Sequence, residues 1–332
     1  MDKRPDYVGP DYWRLLGGRV PEPKPPAADV DAIRKMTIPV MQAASDTFPF
    51  PEGMDTSVST ATSSIDGHPI TITRFVPLAA QQQQSKDKNP QRAIIYAFGG
   101  GLVAGTAAIS RNMIAHFAEQ TGTQVFAPDY LLAPEQPYPA AFHDMYATVV
   151  WLQAHAEGFG VDPARIILAG QSAGGNLAAA AALEARDRKL TPPLAGLVLR
   201  YPMLDDRTRW DPESPRGVFL SWTPSYNLVV WEAYLKGIPK EEREGRGSRV
   251  VPPTAAPGRA DDLRGLPPTH LGVGELDLFH DETVRFAKLL KAHEIEVEWH
   301  VYPGVPHGFD GNPVFSVRDE MWRSETEFVR RF

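Results

Sequence analysis

Gly170-Gln171-Ser172-Ala173-Gly174 is the stretch whose residue types and spacing could do chemistry. A serine flanked by glycines can sit on a sharp turn with its hydroxyl exposed to a carbonyl carbon, because the missing Cβ atoms let neighbouring backbone pass close. The flanks supply the context. Ile166-Ile167-Leu168-Ala169 reads as a buried strand, and an alanine-rich helical pattern follows the motif at once. Strand, G-x-S-x-G and helix in that order make a nucleophile elbow. The ordinary alternative, a glycine-bearing turn with a capping serine, accounts less well for those flanks.

A serine hydroxyl is a weak nucleophile at neutral pH and needs a base, itself oriented by an acid. Of the nine histidines, His280, His293, His300 and His307 follow the serine at a distance that suits the order serine, acid, histidine. His293 falls near a helix end, where a histidine is ordinary. In Glu294–Tyr302 the apolar Ile295, Val297, Trp299 and Val301 share one face, so His300, among glutamates on the other, is expected at the surface. His307 lies in Pro303-Gly-Val-Pro-His-Gly-Phe309, just past that strand, where open α/β sheets place their sites. It is the expected base. The acid belongs in the loop after the preceding strand, Gly274-Glu-Leu-Asp-Leu-Phe-His-Asp-Glu282. Asp281 and Glu282 are expected to open the next helix and satisfy its free N–H groups. That leaves Asp277 as the acid, with Glu275 as the next choice.

The third need is a set of N–H donors for an anionic tetrahedral intermediate. Ala173, directly after the serine at a helix N-terminus, supplies one. A second set fits the loop Ile94-Ile-Tyr-Ala-Phe-Gly-Gly-Gly-Leu-Val-Ala-Gly105, whose three consecutive glycines let bare backbone approach a ligand. A phosphate loop is excluded there, since no G-K-[ST] and no spaced G-x-G-x-x-G occurs.

The elements that must position these residues alternate. Strands are expected at 93–98, 124–129, 166–169, 194–201, 270–273 and 297–302, with helices at 112–121, 140–156, 175–186, about 282–293 and from about 317. That order predicts an α/β protein with a mainly parallel sheet and helices on both faces. Upstream, a short amphipathic helix is expected around Ala32, Ile33 and Met36, and Asp66-Gly67 marks a hairpin turn before the strand at 70–76. The polar run 81–89 reads as a solvated loop. Between 202 and 257 the alternation breaks into prolines, a charged run at 240–244 and the aromatics Trp210, Phe219, Trp222, Tyr226, Trp231 and Tyr234. This predicts an insertion over the sheet's carboxyl edge, packed with the N-terminal segment. Its aromatics suit a small second core or a substrate wall equally.

Composition bounds the rest. The 332 residues carry a net charge of −7, which argues against a nucleic-acid surface. Cysteine is absent, excluding disulfides and thiolate metal sites, and no metal ligand set is expected. No apolar run has the length of a signal or membrane span, so a cytoplasmic protein without membrane insertion is expected.

Several motifs occurring in one order resemble the α/β-hydrolase superfamily, and within it the hormone-sensitive-lipase-like carboxylesterases. These are the glycine run, Asp129-Tyr-Leu-Leu-Ala-Pro-Glu135, Gly170–Gly175, Asp277 with Asp281-Glu282, and His307-Gly-Phe309. The resemblance covers roughly 90–202 and 256–332. It implies an α/β-hydrolase fold with a helical cap, a triad of Ser172, Asp277 and His307, and an oxyanion hole of Gly99, Gly100 and Ala173. It also implies hydrolysis of short- to medium-chain esters through an acyl-enzyme, a small-molecule substrate, no cofactor, and a scaffold compatible with a homodimer. The expected organisation is 1–50 as the N-terminal part of the cap, 51–201 and 257–332 as the two parts of the catalytic domain, and 202–256 as the cap insertion. Phe98, Leu102, Trp210, Phe219, Trp222, Tyr226, Leu278 and Phe279 are candidate pocket residues.

Phe98 departs from the family, whose glycine run usually follows a histidine. The donors are backbone groups that phenylalanine leaves intact, so ester hydrolysis stays the leading expectation. Phe98 could instead brace the loop by packing or shape a pocket for a lactone, an amide or a natural-product intermediate processed by hydrolysis or elimination. A non-catalytic binding protein, as the gibberellin receptors resemble, is the third reading. Those receptors lose a triad member, whereas all three candidates are present in this chain.

Overall fold

The computed structural model describes residues 3–87, 89–243 and 250–332. The strands are β1 (Asp55–Thr62), β2 (Pro69–Val76), β3 (Gln91–Ala97), β4 (Gln124–Pro128), β5 (Val161–Gln171), β6 (Gly196–Arg200), β7 (Thr269–Leu276) and β8 (Val297–Pro306). They form one eight-stranded sheet in the order β1-β2-β4-β3-β5-β6-β7-β8. The β1–β2 hairpin turns through Gly67 (φ +77°), β2 runs antiparallel to β4, and the remaining pairs are parallel.

The helices are α1 (Pro10–Leu15), α2 (Val30–Asp46), α3 (Leu78–Asp87), α4 (Arg111–Thr121), α5 (Ala140–His155), α6 (Ala173–Asp187), α7 (Pro224–Tyr234), α8 (Lys240–Arg243), α9 (His280–Ala292) and α10 (Arg318–Val329). Consecutive strand residues feed opposite cores. Ile94, Ile167 and Val198 pack with Phe117 of α4 and Phe328 of α10, whereas Ile95, Leu168 and Leu197 pack with Leu177 of α6 and Phe286 of α9. Parallel strands covered on both faces read as continuous apolar runs, which is why Ile166–Ala169 shows no alternation. Each such buried side chain contributes roughly 1.5–3 kcal/mol by leaving water. The expected α/β-hydrolase architecture is the one observed.

Three expectations change. Residues 81–87 continue α3 rather than forming a loop. Alanine and glutamine are strong helix formers, and a helix needs no apolar face where propensity favours it. His300 is half-buried and faces inward, its ring stacked on His270 at 5.0 Å, while Trp299, Val301 and Pro303 are the exposed residues of β8. Alternation gives the period of a strand; the helix that covers one face, here α10, decides which set turns inward. Glu282 begins α9 as expected but does not cap it. Its carboxylate accepts instead from the Leu204 N–H at 2.6 Å and from the Thr208 hydroxyl, and burial pushes its pKa well up.

The N-terminal segment and the stretch after β6 pack together. The Tyr12 hydroxyl donates to the Phe219 carbonyl at 2.8 Å, Lys24 Nζ donates to the Leu220 and Ser221 carbonyls at 3.0 and 2.9 Å, and the Ala27 N–H donates to Ser225 Oγ at 3.1 Å. The charged run at 240–244 lies partly in α8, and its last residue is outside the described residues.

Candidate active site

Ser172 stands between the last residue of β5 and the first of α6, with φ +54° and ψ −120°. A non-glycine residue in this region is strained, and the surroundings must hold it there. The two glycines show how. A Cβ on Gly170 would fall 2.2 Å from the Gly174 carbonyl oxygen, and one on Gly174 would fall 2.0 Å from that of Ala97. Only bare backbone lets β5, α6 and the end of β3 converge so closely. The Ser172 N–H donates to the Arg200 carbonyl at 2.9 Å, tying the turn to β6.

Asp277 follows β7 directly and His307 follows β8 directly. The sheet order therefore delivers the serine, acid and imidazole from β5, β7 and β8 to one carboxyl edge. His307 Nδ1 lies 2.7 Å from Asp277 Oδ2, and His307 Nε2 lies 3.0 Å from Ser172 Oγ. Asp277 is fully buried, and its other oxygen accepts from the Phe279 N–H at 2.9 Å. With Nδ1–H donating to the carboxylate, Nε2 is left as acceptor for the serine proton, the tautomer a general base requires. His280, His293 and His300 take other roles. His280 pairs with Asp281, His293 Nδ1 accepts from the Leu263 N–H at 3.2 Å, and His300 stacks on His270. Glu275, the alternative acid, accepts from the Gly304 N–H at 3.1 Å instead.

The glycine loop follows β3. Gly100 (φ +121°), Gly101 (φ +66°) and Leu102 (φ +64°) occupy the left-handed side, and a Cβ on Gly100 would meet the Ala104 carbonyl oxygen at 2.0 Å. Gly99 and Gly100 line the cavity above Ser172, and Ala173 opens α6 beside it. Phe98 points away from that cavity. Its ring stacks on Tyr130 at 4.2 Å, the Tyr130 hydroxyl donates to the Phe98 carbonyl at 2.7 Å, and Gly105 passes against the ring. The loop is braced by aromatic packing.

The cavity over Ser172 holds about 410 Å³. Much of its apolar wall comes from α2, whose Met36, Val40 and Met41 join Met113 and Trp222. Arg34 fastens α2 to the glycine loop: Nε donates to the Val103 carbonyl at 2.8 Å, Nη2 to the Ala133 carbonyl at 3.0 Å, and both Nη groups hold Glu135 at 2.7 and 2.6 Å. That pairing pulls the Glu135 carboxyl down to about 2. Of the eight pocket candidates from the sequence, Trp222 alone borders this cavity. Phe98 and Leu102 lie in the core, Phe219 packs on Tyr12, Tyr226 packs on Trp222, and Phe279 packs edge-on against the His307 ring at 5.1 Å. Trp210 and Leu278 line a larger cleft of about 990 Å³ behind Asp277, crowded with Asp205, Arg207, Glu282 and Arg285. It reaches Asp277 but not Ser172.

Three residues that sequence reasoning missed touch the site. The Tyr201 ring meets the His307 imidazole edge-on at 4.5 Å, and its hydroxyl donates to Asp310. Asp310 in turn accepts from Arg200 at 2.9 Å, and Arg200 is also held by Glu325, all of them buried under the triad. Ser221 Oγ donates to the His307 carbonyl at 2.7 Å, so a residue of the inserted stretch fixes the histidine loop. No motif marks Tyr201, Asp310 or Ser221; each is defined by what it packs beneath or beside.

Fold and site together define a serine hydrolase of α/β-hydrolase type. A family model described as the alpha/beta hydrolase fold matches residues 94–311. The chain is 33% identical over 225 residues to Esterase LipI of Mycobacterium tuberculosis, covering 68% of each chain, and 36% identical over 220 residues to Carboxylesterase NlhH of the same species, covering 65% of this chain and 66% of that one. It thus spans about two thirds of the length of the curated relatives it matches. The solved structure titled Bacterial Heroin Esterase superimposes with a TM-score of 0.83 at 31% identity, over 98% of both chains. The chain belongs to the hormone-sensitive-lipase-like family of α/β hydrolases and is a carboxylesterase. Among the described residues no helix is long and apolar enough to cross a membrane.

Proposed function

We propose that Ser172 is the nucleophile, His307 the general base and acid, and Asp277 the group that orients the imidazole and stabilises its charged form. Ser172 Oγ attacks the ester carbonyl carbon as His307 Nε2 takes its proton. The N–H groups of Gly99, Gly100 and Ala173 receive the developing oxyanion. Collapse expels the alkoxide, which takes the proton back from His307, and water repeats the sequence on the acyl-enzyme. The observation that carries this reading is the unbroken chain from Ser172 Oγ through both ring nitrogens of His307 to Asp277, at 3.0 and 2.7 Å.

The substrate class we infer is a small ester with a short- to medium-chain acyl group. Ligand pockets span about 300–1,000 Å³, and the 410 Å³ cavity sits at the small end of that range. Residues 1–50 and 202–256 act as the cap over the catalytic parts at 51–201 and 257–332, a reading supported by the Lys24, Tyr12 and Arg34 contacts. The protein works in the cytoplasm, alone or as a homodimer, without a nucleic-acid partner. Phe98 lies away from the cavity, so its departure from the family lends no support to a lactone, amide or elimination substrate.

A series of p-nitrophenyl esters from acetate to palmitate tests this. A burst of p-nitrophenol followed by a slower steady state, strongest for short chains, is the expected result. Turnover of long chains alone would overturn the substrate class, and full activity in Ser172→Ala would overturn the mechanism.

A further inference from the structure

Away from the Ser172 cavity, β7 and β8 bring two imidazoles and a carboxylate together on the face covered by α10. In the register of this parallel pair His270 stands opposite Glu298, and His300 follows Glu298 two residues on, so all three side chains project to one side. One donor atom from each of His270, Glu298 and His300 lies within 4.8 Å of the other two. The two imidazole rings stack at 5.0 Å and 26°.

The hydrogen bonding around His270 is incomplete. Its Nε2 lies 3.0 Å from Ser324 Oγ, whose own proton is given to the Met321 carbonyl at 3.0 Å. Ser324 therefore accepts from Nε2–H, which leaves Nδ1 as a bare lone pair. That Nδ1 is buried with no partner, and so is His300 Nε2. A buried acceptor without a donor is costly, and native interiors keep few of them. Two imidazole nitrogens with one carboxylate match a zinc-class ion, which takes nitrogen and oxygen ligands tetrahedrally and keeps a water in its fourth position when the protein supplies three. Ser324 is the kind of outer partner that fixes a ligating histidine's tautomer. Glu298 also forms an ion pair with Arg331, Nη1 lying 2.8 Å from Oε1, and that guanidinium donates to Glu296 at 2.7 Å, so Arg331 keeps a carboxylate if Glu298 turns to an ion.

We propose that His270, Glu298 and His300 bind one divalent ion of the zinc class, which pins the edge strand β8 to β7 beneath α10. The ion does no work on the ester. It clamps the two strands whose ends carry Asp277 and His307.

Metal-free protein titrated with Zn²⁺, and separately with Co²⁺, tests the site. One ion per chain, a raised melting temperature, and the visible absorption of Co²⁺ in a low-symmetry nitrogen and oxygen environment are expected. His300→Ala and the more conservative Glu298→Gln should each weaken binding at least tenfold, whereas Ser172→Ala should bind as the parent does. No binding by the parent, or equal affinity in both ligand variants, would overturn the proposal. Loss of binding in Ser172→Ala would do so too, by placing the ion at the esterase site instead.

Discussion

The β5–α6 elbow and the middle of α2 both face the Ser172 cavity, and they are held in opposite ways. At the elbow, backbone meets backbone so tightly that one added carbon at Gly170 or Gly174 would overlap a carbonyl. In α2, Ile33 is buried and Arg34 makes a fork of bonds, but Met36 and Val40 remain substantially exposed and simply border the cavity. Reaction geometry tolerates fractions of an ångström, so it dictates residue types. A hydrophobic wall distinguishes one methylene from another by only about 1–3 kcal/mol, so many apolar residues serve there. One region is fixed by chemistry, the other by the size of what enters.

Substitutions at the two regions should therefore differ in kind. Asp277→Asn keeps the shape of the acid but lets the imidazole adopt the wrong tautomer; kcat should fall about 10⁴-fold, with KM nearly unchanged, on a p-nitrophenyl ester. An equal rise in KM would place Asp277 in binding instead. Gly174→Ala should destabilise the fold by roughly 3 kcal/mol or more, because a Cβ pressed into backbone cannot be relieved by a rotamer change; thermal unfolding reads this directly, and an unshifted melting temperature would break the claim that the elbow is over-determined.

At α2 the effects should be smaller and fall on binding. Arg34→Gln unfastens the helix from Val103, Ala133 and Glu135, and should raise KM several-fold while leaving kcat within about a factor of two, since only uniform binding is lost. The same fork gives a pH signature. Arg34 holds the folded-state Glu135 carboxyl near 2, below the ordinary 4.5, so the contribution is complete above about pH 4.5 and is lost as the pH falls towards 2. Hydrogen exchange in α2 should quicken through that acid window in the parent and show no such step in Arg34→Gln. Met41→Ala, the mildest change, widens the cavity and should shift the preferred acyl chain longer with a change of only a few-fold in kcat/KM.

The same contrast explains which parts of the site are legible in the amino-acid sequence. Ser172, Asp277 and His307 are legible because each follows a strand with its own apolar signature, and a hydrolytic elbow admits few residue types. Gly100 of the loop proposed to hold the oxyanion is legible because only glycine fits its backbone, at φ +121° with an added Cβ 2.0 Å from the Ala104 carbonyl oxygen. The mainly parallel sheet with helices on both faces follows from the alternation of strands and helices, for the same reason that its core reads as apolar runs. The pocket is not legible, since large aromatics such as Phe219 and Phe279 look like pocket residues on composition yet are consumed by packing, while the methionines of α2 carry no motif. His300 misleads for a related reason: glutamate neighbours mark a polar face, but α10 covers that face, and only tertiary contact reveals it.

Covalent labelling by a fluorophosphonate probe, followed by peptide mapping, asks of the elbow what no substitution in α2 can. Rapid, one-to-one modification at Ser172, abolished in Ser172→Ala and much slowed in His307→Gln, is the result expected of a serine activated by the His307–Asp277 pair. Modification at another residue, or none while ester hydrolysis persists, would contradict that assignment.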